Sequence, residues 1–256
     1  MGEVSGWLVL LYGWFCYLAF LASFVFLVGF VGDLGTPRSL SVGPTAPTAT
    51  ALMVDLGLLA LFSLQHSFMA RPGFKRFWTR LVAPSVERST YVLASALALG
   101  LLFFGWRTLP QAVWHSRHPY LRLGIRILFW GGVAQVLIST FLVNHGDLFG
   151  LRQVLCRFRN QPYRERPFRL GGFYARVRHP LMLGFLVLVW AAPTMTLGHL
   201  LFALGMTAYI WVGTRLEERD LARRLGPAYQ DYLRSVPRFF PVPGRRYPKA
   251  PAPPEG

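Results

Sequence analysis

The chain has 256 residues, of which 53% are hydrophobic and only 15% charged, with a formal net charge of +16. A soluble domain of this length carries about 25% charged residues, and the apolar residues here fall in long blocks, so the composition excludes an ordinary soluble globule and indicates an integral membrane protein. Nucleic-acid binding is not expected from the positive charge, because the basic segments lack the folded readers such proteins use.

In chain order, the first apolar block runs from about Trp7 to Val31. It is too long for the apolar part of a secretory signal and no Lys or Arg precedes it, so it reads as an uncleaved spanning helix. Loop 32–51, with Gly35, Pro37 and Gly43-Pro44, is a turn-rich connection. Further spanning helices are predicted over 52–69, 89–107 and 121–143, each close to the roughly 20 residues that cross the hydrocarbon. Residues 144–177 form a long segment dense in Arg and aromatics.

Leu181 to Gly213 then runs without a charge, short for two crossings and a turn. Ala192-Pro193-Thr194 breaks it, since proline ends or kinks a helix. A short helical hairpin is predicted; one long kinked helix is the alternative and would put the flanking motifs on opposite sides. From Thr214 a polar helix should leave the membrane and end before Gly226-Pro227. The expected fold is all-α: a polytopic helical bundle with four spanning helices, a short C-terminal hairpin and a cytoplasmic polar helix. Residues 1–242 read as one membrane domain and 243–256 as a Pro-rich disordered tail.

Basic residues cluster at 71–88, 152–178 and 215–249, whereas the opposite loops hold only Arg38, Arg107, Arg117 and Arg122. This positive-inside pattern places the clusters and the C-terminus in the cytoplasm and predicts contact with membrane lipids. Cys16 and Cys156 are isolated, which gives no metal spacing and no expected disulfide. The six histidines show no helical pair, and no metal site is expected.

Polar motifs flank the apolar stretch. Arg178-His179-Pro180 stands at its entry. Proline suits a first helical turn, and Arg can be an interfacial anchor. Alternatively, free amides at the helix start, with Gly184 one turn in, can hold a carboxylate. Glu217-Glu218 opens the polar helix. These residues can form a solvated face paired with Arg215, or offer carboxylates to ribose hydroxyls or an ammonium; side chains about 100° apart cannot both face one site. His145-Gly146-Asp147 follows the fourth span as either a turn or a base with its orienting partner. His66 with Gln65 and Ser67 ends the second span, as a cap or as a functional imidazole. His199 is either an intramembrane functional group or a polar cap at the hairpin tip.

Arg178-His179-Pro180-x-x-x-Gly184, the apolar hairpin, Glu217-Glu218-x-x-Leu221, Gly226-x-x-Tyr229-x-x-Tyr232 and Val236-Pro237 resemble the isoprenylcysteine carboxyl methyltransferase superfamily, integral membrane enzymes that use S-adenosylmethionine. The match covers the C-terminal third. Gln65-His66-Ser67-Phe68-Met69-Ala70-Arg71, Glu87-Arg88-Ser89-Thr90-Tyr91, Asn144-His145-Gly146-Asp147-Leu148-Phe149-Gly150 and Pro193-Thr194-Met195-Thr196-x-Gly198-His199-Leu200 are similar to its NnrU-type branch over nearly the whole chain. Met182 stands where the prenylcysteine enzymes usually carry an aromatic residue, which fits a smaller substrate.

The resemblance implies methyl transfer from S-adenosylmethionine to a small volatile thiol, methanethiol, giving dimethyl sulfide in the bacterial inner membrane. Thiolate is the nucleophile, and a thiol titrating near about 8.5 needs a base or a positive field. On this reading His145 with Asp147, or His66, acts on the thiol. Arg178, His179, Pro180 and Gly184 would grip the cofactor's amino-acid end, and Glu217 or Glu218 its ribose or ammonium. Met182, Trp190 and Phe202 could shape an apolar pocket. The alternatives are methylation of another lipophilic thiol or a carboxylate, or a non-catalytic accessory protein. Oligomeric state is not legible.

Overall fold

The computed structural model describes residues 5–165 and 172–242; the Pro-rich tail lies outside them. The chain is an all-α polytopic membrane protein. Its helices are α1 (Gly6–Gly32), α2 (Thr48–Met69), α3 (Pro72–Trp78), α4 (Pro84–Gly105), α5 (Pro119–Val143), α6 (His145–Leu148), α7 (Leu151–Phe158), α8 (Pro180–Trp190), α9 (Leu197–Leu225) and α10 (Pro227–Ser235). Five of these, α1, α2, α4, α5 and α9, are long and apolar enough to cross a membrane. Helices α3, α4, α5, α8 and α10 begin on proline, at a position where a missing N–H costs nothing.

The four expected spans match α1, α2, α4 and α5 to within a few residues. The hairpin is present, but its arms are unequal. α8 has only 11 residues, on the order of 16 Å at 1.5 Å per residue, against roughly 30 Å of hydrocarbon. The second arm and the expected polar helix are one helix, α9, because no proline interrupts the sequence between Leu197 and Leu225. Sequence periodicity missed two short strands, β1 (Ala112–His115) and β2 (Thr194–Thr196), which pair antiparallel.

The chain reads as one membrane domain in sequence, and its described residues pack as two compact units interleaved along the chain: residues 5–115, 144–165 and 194–202, and residues 116–143, 172–193 and 203–242. In the first, α4 packs on α1 and α2, and α7 on α1. Its core includes Phe30, Phe103, Trp106 and Phe202. Phe202 is fully buried there with its ring against Phe30 and Trp106, so it fills core.

In the same unit Gly150 has φ +84°, and a Cβ on it would lie 2.6 Å from Ser89 Oγ and 2.8 Å from Ser89 N. Both the left-handed backbone and the close approach demand glycine. Gly150→Ala should therefore destabilise the protein by about 1–3 kcal/mol, read as a lower melting temperature in detergent. Unchanged melting would show that this turn relaxes freely.

In the second unit α8 packs against α5. Gln135 Nε2 donates to Pro180 O at 2.9 Å. Further along, Gly184 meets Gly132 so closely that a Cβ on Gly184 would sit 2.9 Å from Val136 N and 3.0 Å from Gly132 O. Small residues at this crossing let the two backbones touch, as in other membrane helix pairs.

Candidate active site

In the second unit the two polar motifs converge. The hairpin returns α9 to the start of α8, and His179 Nε2 lies 3.0 Å from Glu218 Oε1. A carboxylate only accepts hydrogen bonds, so this nitrogen is the donor. Arg178 Nε donates to the same oxygen at 2.8 Å. Arg238, which the motif spacing does not single out, donates from Nε to Oε1 at 3.2 Å and from Nη2 to Oε2. Glu218 is thus a hub for four donors, and its side chain is 7% exposed.

The C-terminal segment is fastened to the same place. Arg178 N–H donates to Pro237 O at 2.9 Å, and His179 N–H to Arg238 O at 3.1 Å. Arg178 Nη1 donates to Leu233 O at 2.7 Å and to Val236 O. The buried face of α10 presents Tyr229 and Tyr232, which cluster with Val236. Tyr232 O–H donates to Tyr174 O at 2.8 Å. Burial pushes the phenols of Tyr174, Tyr229 and Tyr232 well above their usual range, so all three are neutral donors.

This geometry reassigns several side chains. Three of these donors converge on Glu218 Oε1 and one on Oε2, so most of its acceptor capacity is spent inside the protein. Arg178 likewise spends its guanidinium inside the protein. Gly184 faces α5 and serves helix packing. Glu217, about 100° round the helix from Glu218, approaches the other side of the His179 ring. Its side chain is 50% exposed, with Oε2 3.9 Å from His179 Nδ1.

Two further features lie in the same unit. Among the described residues no side chain caps α8, so the first-turn amides of Leu181 and Met182, after Pro180, have no helical acceptor. A shallow cleft of about 180 Å³ is lined by Gln135, Phe173, Arg176, Val177, Leu183 and Pro241. An exposed carboxylate, uncapped helix amides and the cation Arg176 thus occur in this one unit, and they are the kinds of group that pair with the two charged ends of a small zwitterion.

The first unit holds the candidate thiol residues. His145 and Asp147 do not face each other, because positions i and i+2 of a helix diverge. Asp147 is paired with Arg152 Nη1 at 2.9 and 3.1 Å, and so does not orient the imidazole as its place in the sequence suggests. Tyr163 stacks on Arg152 beside this pair. Burial, with Asp147 adding its charge, pushes the Tyr163 phenol up to about 12. The imidazole meets α1 instead: His145 Nε2 lies 2.8 Å from Tyr17 Oη. Burial lowers the His145 pKa below its ordinary value, favouring the neutral ring.

His66 is held at both nitrogens. Ser95 Oγ donates its one proton to Tyr91 O at 2.9 Å. It must therefore accept from His66 Nδ1–H at 2.9 Å, and Tyr91 O–H then donates to Nε2 at 2.8 Å. With its lone pair engaged, His66 serves as a strut rather than a base. Tyr91, Val92 and Phe149 form one apolar cluster with Tyr17, Phe20 and Met69 packed on it. The two histidines flank this cluster: the His66 ring centre lies 5.0 Å from that of Tyr91, and the His145 ring centre 4.8 Å from that of Phe149. Arg88 lies over the Tyr91 ring at 4.9 Å and donates from Nε to Leu148 O at 2.7 Å.

His199 is buried in the first turn of α9, where its N–H donates to Thr196 Oγ1 at 3.1 Å. Sequence reasoning misses Tyr17, Tyr91, Arg88 and Arg238 as site residues. Only Arg88 and Tyr91 carry a signal, a Glu-Arg-Ser-Thr-Tyr run at a helix start.

A family model described as NnrU protein matches residues 55–238. Methanethiol S-methyltransferase of Mycobacterium tuberculosis is 52% identical over 239 residues, covering 93% of this chain and 98% of its own length. Methanethiol S-methyltransferase of Crocosphaera subtropica is 46% identical over 238 residues, covering 93% of each. Nurim of Xenopus laevis is 30% identical over 180 residues, covering 66% of this chain and 62% of its own length. No solved structure matches the chain. With most of its length matched by the family model and by these relatives, the chain belongs to the NnrU protein family.

Proposed function

We propose that this protein methylates methanethiol to dimethyl sulfide with S-adenosylmethionine as donor, at the cytoplasmic face of a bacterial inner membrane. The observation that carries the reading is the near-full-length similarity to relatives named methanethiol S-methyltransferase. The exposed Glu217 carboxylate, the uncapped start of α8 and Arg176, all in the second unit, support a zwitterionic cofactor end. Clustered arginines in 144–178 and after Arg215 support the orientation.

When bound, the cofactor supplies an electrophilic methyl on a sulfonium and departs as a neutral thioether, so no acid is needed. Glu217 would hold its ammonium, and the Leu181 and Met182 amides would hold its carboxylate. Glu218 acts one step back, fixing His179 and locking the C-terminal segment. The thiol sits against the Tyr91–Phe149 cluster. In the His145 tautomer whose Nε2–H donates to Tyr17 Oη, the basic nitrogen of the ring is Nδ1, and in that state it takes the thiol proton. The resulting thiolate is the nucleophile. Arg88 contributes a positive field that favours thiolate.

Two variants check the base. His145→Gln should lower turnover by about 10²-fold or more, and Tyr17→Phe by up to about tenfold, the worth of one hydrogen bond, with little change in melting. Because the folded pKa of His145 is lowered, the ring stays neutral through neutral pH. Its acid limb therefore falls below the ordinary imidazole range, and His145→Gln should abolish that limb. Full turnover in both variants would place the base elsewhere.

The function itself is tested with purified protein, S-adenosylmethionine and methanethiol in a sealed vial. Dimethyl sulfide in the headspace is the expected product. Cofactor binding without it would indicate another acceptor, and absence of both would favour a non-catalytic role.

A further inference from the structure

α5 carries an unusual polar end. Its 25 residues extend on the order of 37 Å, against roughly 30 Å of hydrocarbon, so one end stands in the headgroup layer. α8, the helix it packs against, stops after 11 residues. No α5 residue before Phe129 is buried. The 4-3-4 spacing of Arg122, Arg126, Phe129 and Val133 puts them on one face, so the buried stripe continues past the end of its partner as arginines.

A cleft of about 360 Å³ opens there, lined by Arg117, Pro119, Arg122, Leu123 and Arg126. Among the described residues none of the three arginines has a carboxylate partner within ion-pair distance. Three unneutralised guanidiniums around one cleft call for an anion, and their planar forks suit phosphate oxygens. Leu123, Ile127 and Trp130 are exposed one after another along α5 from the cleft toward the hydrocarbon. A soluble anion would leave that apolar strip uncovered, whereas a lipid would cover it.

We propose that this cleft binds an anionic phospholipid, with its phosphate held by Arg117, Arg122 and Arg126 and an acyl chain lying over Leu123 and Ile127. The site is at the N-terminal end of α5, whereas His145 follows the C-terminal end, and it does not depend on the methyl-transfer reading. Bound lipid would supply to the bare end of α5 the packing that α8 is too short to give.

Native mass spectrometry of the purified protein, titrated with phosphatidylglycerol or phosphatidylcholine, tests this. Phosphatidylglycerol should be retained and phosphatidylcholine released. Each Arg→Gln change should weaken retention about fivefold, and the triple change on the order of a hundredfold. Arg223→Gln/Arg224→Gln, elsewhere on the surface, should leave retention intact. If the triple variant does not fold, the single changes Arg117→Gln and Arg126→Gln carry the test. Equal retention by the Gln variants would overturn the proposal, as would displacement of the lipid by millimolar inorganic phosphate.

Discussion

Replacing Glu218 with Gln is expected to unfold the protein far more readily than any neighbouring change. The carboxylate is the shared partner of Arg178, His179 and Arg238. Arg178 and His179 are 10% and 8% exposed at the side chain. Removing the negative charge leaves the buried Arg178 guanidinium without compensation, and breaking a buried ion pair in this way typically costs about 3–5 kcal/mol. The loss also releases the Val236–Arg238 segment from α8, because the Arg178 side chain ties both. Thermal melting in detergent reads this directly. Glu217→Gln should melt within about 0.5 kcal/mol of wild type, as exposed substitutions do, yet bind S-adenosylmethionine more weakly. If instead Glu218→Gln melts normally and fails only in cofactor binding, Glu218 touches the cofactor and the two roles are reversed.

Gly184→Ala should strongly destabilise the α5–α8 pair. The added Cβ would meet Val136 N at 2.9 Å and Gly132 O at 3.0 Å. These are backbone atoms and cannot rotate aside, so α5 and α8 must separate. Overpacking of this kind costs about 1–3 kcal/mol. The separation also shifts the start of α8, where Pro180 O accepts from Gln135, so cofactor affinity should fall with stability. Gly213→Ala is the matched control: nothing lies within 4 Å of its added Cβ, and the helix should gain slightly. Equal melting of the two variants would mean that the α5–α8 contact is loose.

The spans were legible because an apolar block of membrane length has little use outside a bilayer. Their ends shifted by a few residues, toward prolines that sequence windows pass over. The hairpin was legible from Pro193. The continuity of α9 was not, because the change from apolar to polar composition at Thr214 marks the exit from lipid rather than a break in the backbone. In the site, Arg178, His179 and Glu218 were found as a set through their motif spacing. Their mutual pairing was not legible, since sequence does not show that Arg238 arrives from 20 residues further on to share Glu218. Asp147 looked like the partner of His145 because it is two residues away. Helix geometry turns it toward Arg152 instead, and the partner is Tyr17, 128 positions upstream. Such a pair leaves no local trace: a tyrosine in the middle of an apolar helix reads like any other core aromatic.

The most direct measurement uses S-adenosylmethionine with a deuterated methyl group. Purified protein is sealed with this donor and unlabelled methanethiol, and headspace dimethyl sulfide is analysed by mass. Dimethyl sulfide carrying one deuterated and one ordinary methyl group, absent with His145→Gln, is the predicted result. Unlabelled product, or none from a folded protein that binds the donor, would contradict methyl transfer to methanethiol.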